Sequence, residues 1–265
     1  MISEQILKKM NTELANPVQY SLNSLENKII LNQYIGHEIG FKFNHEIFCL
    51  SCGSKTYKSF AQGYCYSCFV SSPDTEECIL KPELCRAHEG IARDMKVASE
   101  RCLQNHYVYL AVSSEVKVGV TRSTQIPTRW IDQGASYAVP FALVPNRFLA
   151  GCIEVFLKKY YTDKTSWQKM LKNEISKDFD LISEKKRAFD LLPDEYKIYY
   201  STNDEIIDIQ YPVIKYPSKI KSLSLDTQFS YYGILSGIKG QYLIFDDGTV
   251  FNVRRHSGYK VTWQF

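Results

Sequence analysis

The sequence predicts an α+β protein with a zinc-knuckle region, a ββαβαα core and a mostly β C-terminal barrel or sandwich. Three observations carry this. Two Cys-x-x-Cys pairs, Cys49/Cys52 and Cys65/Cys68, are separated by only twelve residues. Between Tyr107 and Leu192 the apolar residues alternate between strand and helix spacing in the order strand, strand, helix, strand, helix, helix. Beyond Tyr196 tyrosine and glycine are frequent and the character alternates. At 45% hydrophobic and 14% aromatic over 265 residues, the chain can bury a substantial core, which excludes a disordered scaffold.

Four segments follow: 1–44, 45–106, 107–192 and 193–265. The first fourteen residues read as a short amphipathic helix, with Ser3 as cap and Ile6, Leu7, Met10 and Leu14 at helical spacing. From Lys28 to Phe43, β-branched and aromatic residues punctuated by Gly36 and Gly40 predict short strands, which pair with the C-terminal sheet because alone they are too few. In the core, strands are expected at Tyr107–Val112, Val116–Val120 and Tyr137–Val144, with helices over 124–133 and 147–161. A third helix, capped by Thr165 or Ser166, runs to Leu192 before Pro193. Asp246-Asp247-Gly248, between Tyr242–Phe245 and Val250–Val253, predicts a hairpin in the last segment.

The paired cysteines point to zinc. The ion takes four soft ligands at tetrahedral corners, and each Cys-x-x-Cys turn supplies two, so Cys49, Cys52, Cys65 and Cys68 suffice for one site. A redox dithiol needs one pair at a helix start, and disulfides need an exported chain. Cys78, Cys85 and Cys102 suggest a second site. Its fourth ligand is His106, on a helix face shared with Cys102, or else His88. The competing reading makes these thiols buried core residues, as Cys152 is expected to be.

A net charge of +3 from 32 basic and 29 acidic residues does not announce a nucleic-acid binder. The stretch 107–162, with six basic residues against three acidic ones, holds the whole surplus. The amino terminus has no apolar run ahead of a small-residue cleavage site, and no segment approaches a membrane span. A cytoplasmic protein without a membrane partner is therefore expected.

Tyr107-Val-Tyr-Leu, Lys117-Val-Gly-Val-Thr121, Arg129 and Glu154 resemble, in order and spacing, the core of the GIY-YIG nuclease superfamily. The phage-type branch, where the second motif reads Lys-Ile-Gly-x-Thr, is the most similar. With the cysteine pairs and glycine-rich tail, the chain also resembles an uncharacterised bacterial family of unknown function that joins zinc knuckles to this core. The nuclease resemblance covers about residues 106–190. Two positions depart from the pattern: Tyr107 replaces the first glycine, and Lys117 replaces the second tyrosine.

The resemblance implies phosphodiester hydrolysis with one Mg²⁺ held by Glu154, a phosphate gripped by Arg129, and a water oriented or deprotonated by Tyr109 with help from Lys117. DNA or RNA is the implied partner. The alternative is a non-catalytic DNA- or RNA-binding module in which the core is scaffold and Tyr64, Tyr66 and Phe69 stack on bases or roof the zinc. Each candidate also has a structural reading: Tyr109 as strand packing, Glu154 as a solvated acid, Arg129 stacked on Trp130 or paired with Asp132.

Overall fold

The computed structural model describes residues 2–23, 28–176 and 180–265. The chain forms two compact units, one from residues 1–71 with 209–265 and one from residues 72–208. In the first unit β1 (Ile2–Ile6) pairs antiparallel with the final strand, Ile2 opposite Gln264 and Ile6 opposite Lys260. The expected N-terminal helix is therefore a strand. Its apolar stripe is not one buried face, since Leu7 and Met10 are fully buried while Ile6 and Leu14 are exposed. A free sheet edge offers this backbone partners that a short isolated helix lacks.

A small antiparallel sheet follows, made of β2 (Asn11–Glu13), β3 (Gln19–Asn23) and β4 (Lys28–Ile30). The long β5 (Glu38–Phe48) then leads into the first cysteine pair, with β6 (Lys55–Thr56) paired to its end. The short helix α1 (Tyr66–Ser71) carries the last of the four cysteines.

The second unit opens with 3₁₀ turns at Pro73–Thr75, Glu77–Ile79, Pro82–Leu84 and Ala87–Glu89. These lead to α2 (Met95–Cys102), whose N-terminus is capped by the Asp94 carboxylate accepting from Val97 N at 3.1 Å. Next come β7 (His106–Val112), β8 (Val116–Arg122), α3 (Thr128–Asp132), β9 (Tyr137–Val144) and α4 (Arg147–Leu157). The Asn146 side chain caps α4 through Leu149 N at 2.9 Å. The remaining elements are α5 (Trp167–Leu171), α6 (Leu181–Leu191), α7 (Asp194–Lys197) and β10 (Ile207–Asp208).

The element order ββαβαα matches the sequence expectation. The third helix, however, is divided into α5 and α6. Asn173 takes a left-handed conformation at φ 56°, which interrupts helical hydrogen bonding between them. His106 opens β7 opposite Arg122, so it does not share a helix face with Cys102; α2 ends at Cys102.

The sheet runs β10-β9-β7-β8, with β7 in the centre. One face of β7 presents Val108, Leu110 and Val112 to Ile153 and Leu157 of α4 and to Leu181 and Ala188 of α6. Because strand side chains alternate, Tyr107, Tyr109 and Ala111 project from the other face.

The chain then returns to the first unit with β11 (Lys221–Leu223), β12 (Ser230–Lys239), β13 (Tyr242–Phe245), β14 (Thr249–Asn252) and β15 (Tyr259–Gln264). The Asp246–Gly248 hairpin lies between β13 and β14 as expected. The main sheet follows one path, β1-β15-β5-β12-β13-β14-β11, with β6 added beside β5. The strand before the first cysteine thus sits between strands from the end of the chain. The sheet is open, so the expected barrel or sandwich is corrected to one continuous sheet. β12 spans its turn by pairing β5 through Ser230–Ile234 and β13 through Leu235–Lys239. Packing centres on Phe41, whose ring stacks on Phe251 at 4.4 Å and meets Trp263 edge-on at 5.2 Å. Among the described residues no helix is long and apolar enough to cross a membrane.

Candidate functional site

Two turns build the first cysteine cluster. Cys49 follows β5, and its backbone closes a turn through Cys49 N to Ser54 O at 2.9 Å and Gly53 N to Cys49 O at 2.8 Å. A second turn, held by Phe60 and Tyr64, delivers Cys65 and then Cys68 on α1. Leu50 N donates to Gly63 O at 2.7 Å and ties the two turns together.

The four thiol sulfurs lie within 4.8 Å of one another, Cys52 and Cys65 at 3.9 Å, and all eight cysteines of the chain are free. This donor set fits zinc, which closes a tetrahedral thiolate site without further ligands. The ionisation of these thiols shows the same crowding. The hydrogen bond from Ser54 holds Cys52 down to about 6, whereas the hydrogen bond with Cys52 pushes Cys68 up to about 12. One thiolate thus suppresses the next, a conflict that a dication at the centre removes. Beside the cluster Phe60 packs on Tyr66 at 5.6 Å and on Phe69 at 5.7 Å, while Tyr66 keeps 64% of its surface exposed.

In the second unit Cys78 and Cys85, on the turns before α2, meet Cys102 at its end, again within 4.8 Å and all buried. Hydrogen bonding from Cys78 pulls Cys102 down to about 2, and the same contact drives Cys78 upward. Neither candidate histidine belongs to this tight group. His88 stacks on Phe148 at 4.4 Å, with its Nε2 3.8 Å from Glu89. His106 is buried with Nδ1 2.7 Å from Gln104 O, and burial lowers its pKa to about 4. A cavity of about 150 Å³ borders the three thiols, lined also by Glu76, Glu77 and Arg86.

The third set surrounds Tyr109. Its hydroxyl donates to Gln133 Oε1 at 2.9 Å, and Lys117 Nζ donates to the same oxygen at 2.6 Å and to Thr165 Oγ1 at 2.5 Å. Register explains the meeting: Tyr109 lies opposite Gly119 and Ala111 opposite Lys117, so all four point to one face of the hairpin. Gly119 is required by this arrangement. A Cβ there would sit 2.6 Å from both Cζ and the hydroxyl of Tyr109.

Trp130 of α3 closes over the phenol edge-on at 5.9 Å. Burial raises the Tyr109 pKa, opposed by the charge and hydrogen bonding of Arg129. Burial and then the Arg129 charge lower Lys117 to about 7.

Glu154, on α4 and nearly buried, is tied to Lys158 at 3.3 Å, and Lys158 also reaches Asp163 at 3.2 Å. Desolvation raises the Glu154 pKa and Lys158 opposes it. The carboxylate acts on Tyr109 through space, and Asp163 acts on Lys117 in the same way. Of the four predicted residues, Tyr109 and Lys117 meet at Gln133, Arg129 bears on both through its charge, and Glu154 belongs to an ion-pair group with Lys158 and Asp163.

Sequence reasoning missed Gln133, Thr165, Lys158 and Asp163. Gln133 was within reach, standing four residues after Arg129 and hence on its helix face. Of the two cap candidates, Ser166 takes the N-cap position of α5, while the Thr165 hydroxyl accepts from Lys117.

No curated protein and no solved structure matches the chain. A family model described as a protein of unknown function, DUF2797, matches residues 36–261, and the chain belongs to that family.

Proposed function

We propose that the chain is a zinc-stabilised nucleic-acid-processing protein whose second unit hydrolyses a phosphodiester, with Tyr109, Lys117, Arg129 and Glu154 as its working residues. The observation that carries this is the shared Gln133 acceptor, which joins a buried phenol to a buried amine, both under the influence of the Arg129 charge. Burying these groups is costly for a scaffold, and sites with strongly shifted ionisation are where chemistry concentrates. The GIY-YIG resemblance supplies the reaction class.

Within this reading Arg129 grips a non-bridging phosphate oxygen, a contact that strengthens as charge builds. Lys117, held near 7, is better matched than Tyr109 to accept a proton from the attacking water, because burial moves the phenol away from neutrality. Tyr109 then orients that water. Glu154, with Asp163 beside its ion pair, would hold a divalent cation of the Mg²⁺ class, which supplies neutralising charge at the leaving oxygen. Cys49, Cys52, Cys65 and Cys68 would hold a structural zinc ion.

The test is nicking of plasmid DNA and digestion of RNA with Mg²⁺ present, comparing the wild type with Glu154→Gln. Loss of cleavage by at least about 100-fold with an unchanged circular dichroism spectrum supports the reading. An unaltered rate in the variant, or no cleavage by the wild type, removes it.

A second reading is a non-catalytic nucleic-acid-binding module, favoured by the ammonium of Lys158 already satisfying Glu154 and by the exposed ring of Tyr66. It predicts affinity for single strands that falls steeply with salt and does not change in Glu154→Gln.

A further inference from the structure

We propose that Cys78, Cys85, Cys102 and His106 form a second, closed zinc centre, with His106 Nε2 as the fourth ligand. Three thiols within 4.8 Å of one another leave one tetrahedral corner to be filled. His106 has the tautomer that a ligand needs. Its Nδ1–H donates to Gln104 O at 2.7 Å, so the lone pair lies on Nε2, and metal-bound imidazoles are commonly fixed by such a carbonyl contact. That Nε2 atom is buried and has no hydrogen-bond partner in a residue 1% exposed. An acceptor left so is costly, and a zinc ion is the partner the neighbouring thiols can bring to it.

His88 is the poorer choice, since its ring is stacked on Phe148 and its Nε2 faces Glu89. The His106 Nε2 lies outside the 4.8 Å group of the three thiols, so in this proposal the imidazole moves toward them when the ion binds.

Charge balance agrees. Three thiolates, a neutral imidazole and a dication leave one negative charge, and Arg147 lies beside Cys78 and Cys102 with Nη1 donating to Cys78 O at 3.2 Å. Binding expels the three thiol protons, so uptake weakens as pH falls. The centre would also brace the neighbourhood of Tyr109. His106 begins the strand that carries Tyr109, and the turn at Pro82–Glu83, between Cys78 and Cys85, presses on α4 at Gly151, where an added Cβ would lie 2.1 Å from Glu83 N. The zinc assignment is independent of whether Tyr109 takes part in catalysis.

The test uses the full chain purified without chelators. Elemental analysis should give two zinc ions per chain, and zinc X-ray absorption should show outer-shell imidazole scattering of one ring per two ions beside sulfur at about 2.3 Å. In His106→Ala the imidazole signal disappears, and one zinc ion passes to a chelator with affinity weakened beyond the 10–100-fold typical of a lost outer contact. His106→Cys retains both ions. One zinc ion per wild-type chain, or two without imidazole scattering, overturns the proposal. The second outcome would mean that the fourth position opens to the adjoining cavity. Because the wild-type spectrum alone decides, failure of a variant to fold does not protect the idea.

Discussion

Replacing Gly119 with alanine tests how the candidate site is packed. The added methyl would lie 2.6 Å from Cζ and the hydroxyl of Tyr109, whereas carbon atoms rest at about 3.5–4.0 Å, so the ring or strand must give by about 1 Å. The ring has little room to do so. It is fully buried, Trp130 lies over it at 5.9 Å, and its hydroxyl is fixed to Gln133 at 2.9 Å.

Overpacking of this kind costs about 1–3 kcal/mol, and pulling the hydroxyl from Gln133 adds about 1 kcal/mol. Against this, alanine is favoured over glycine in a strand interior by about 0.5–1 kcal/mol. The expected net loss is about 1–3 kcal/mol, read by urea unfolding at neutral pH. Tyr109→Leu removes the colliding atoms, so alanine at 119 should then cost less, with a coupling of at least about 1 kcal/mol. Additivity of the two changes within about 0.5 kcal/mol would refute the packing argument.

Three further outcomes are expected. Cys52→Ser should release one zinc ion per chain and make residues 49–68 protease-sensitive, since binding free energy in such knuckles is largely folding free energy; unchanged zinc content by elemental analysis would count against the first centre. Lys117 is lowered to about 7 from 10.5, so between pH 7 and 9 the unfolded chain holds a proton the folded chain has released. Stability should therefore rise with pH in that window, and Lys117→Met should flatten the rise in urea titrations. Gly151→Ala drives a methyl against the backbone of Pro82 and Glu83, which cannot rotate away. It should cost at least the upper part of the roughly 1–3 kcal/mol overpacking range by thermal melting and disturb the second zinc centre.

Much of this was legible because the signals are local. The paired cysteines declare their own site, since each turn brings two donors together without help from the rest of the chain. The strand expected at Val116–Val120, found as Val116–Arg122, and the turn at Asp246–Gly248 likewise act within a few residues. Reading failed where a distant partner decided. The first fourteen residues carry Ile6, Leu7, Met10 and Leu14 at helical spacing, but Ile2–Ile6 takes the edge of β15. Thr165, offered with Ser166 as a cap, leaves that position to Ser166 and accepts from Lys117 instead.

The sequence by itself determined the paired-cysteine cluster, the ββαβαα order and the hairpin at Asp246–Gly248, because turn chemistry and side-chain period act at short range. Tertiary structure alone decided that the main sheet stays open, that Gln133 links Tyr109 to Lys117, and that His106 Nε2 is buried without a hydrogen-bond partner. Those outcomes depend on which backbones approach across long stretches of chain, and strand register, rather than residue type, brings their atoms within bonding distance.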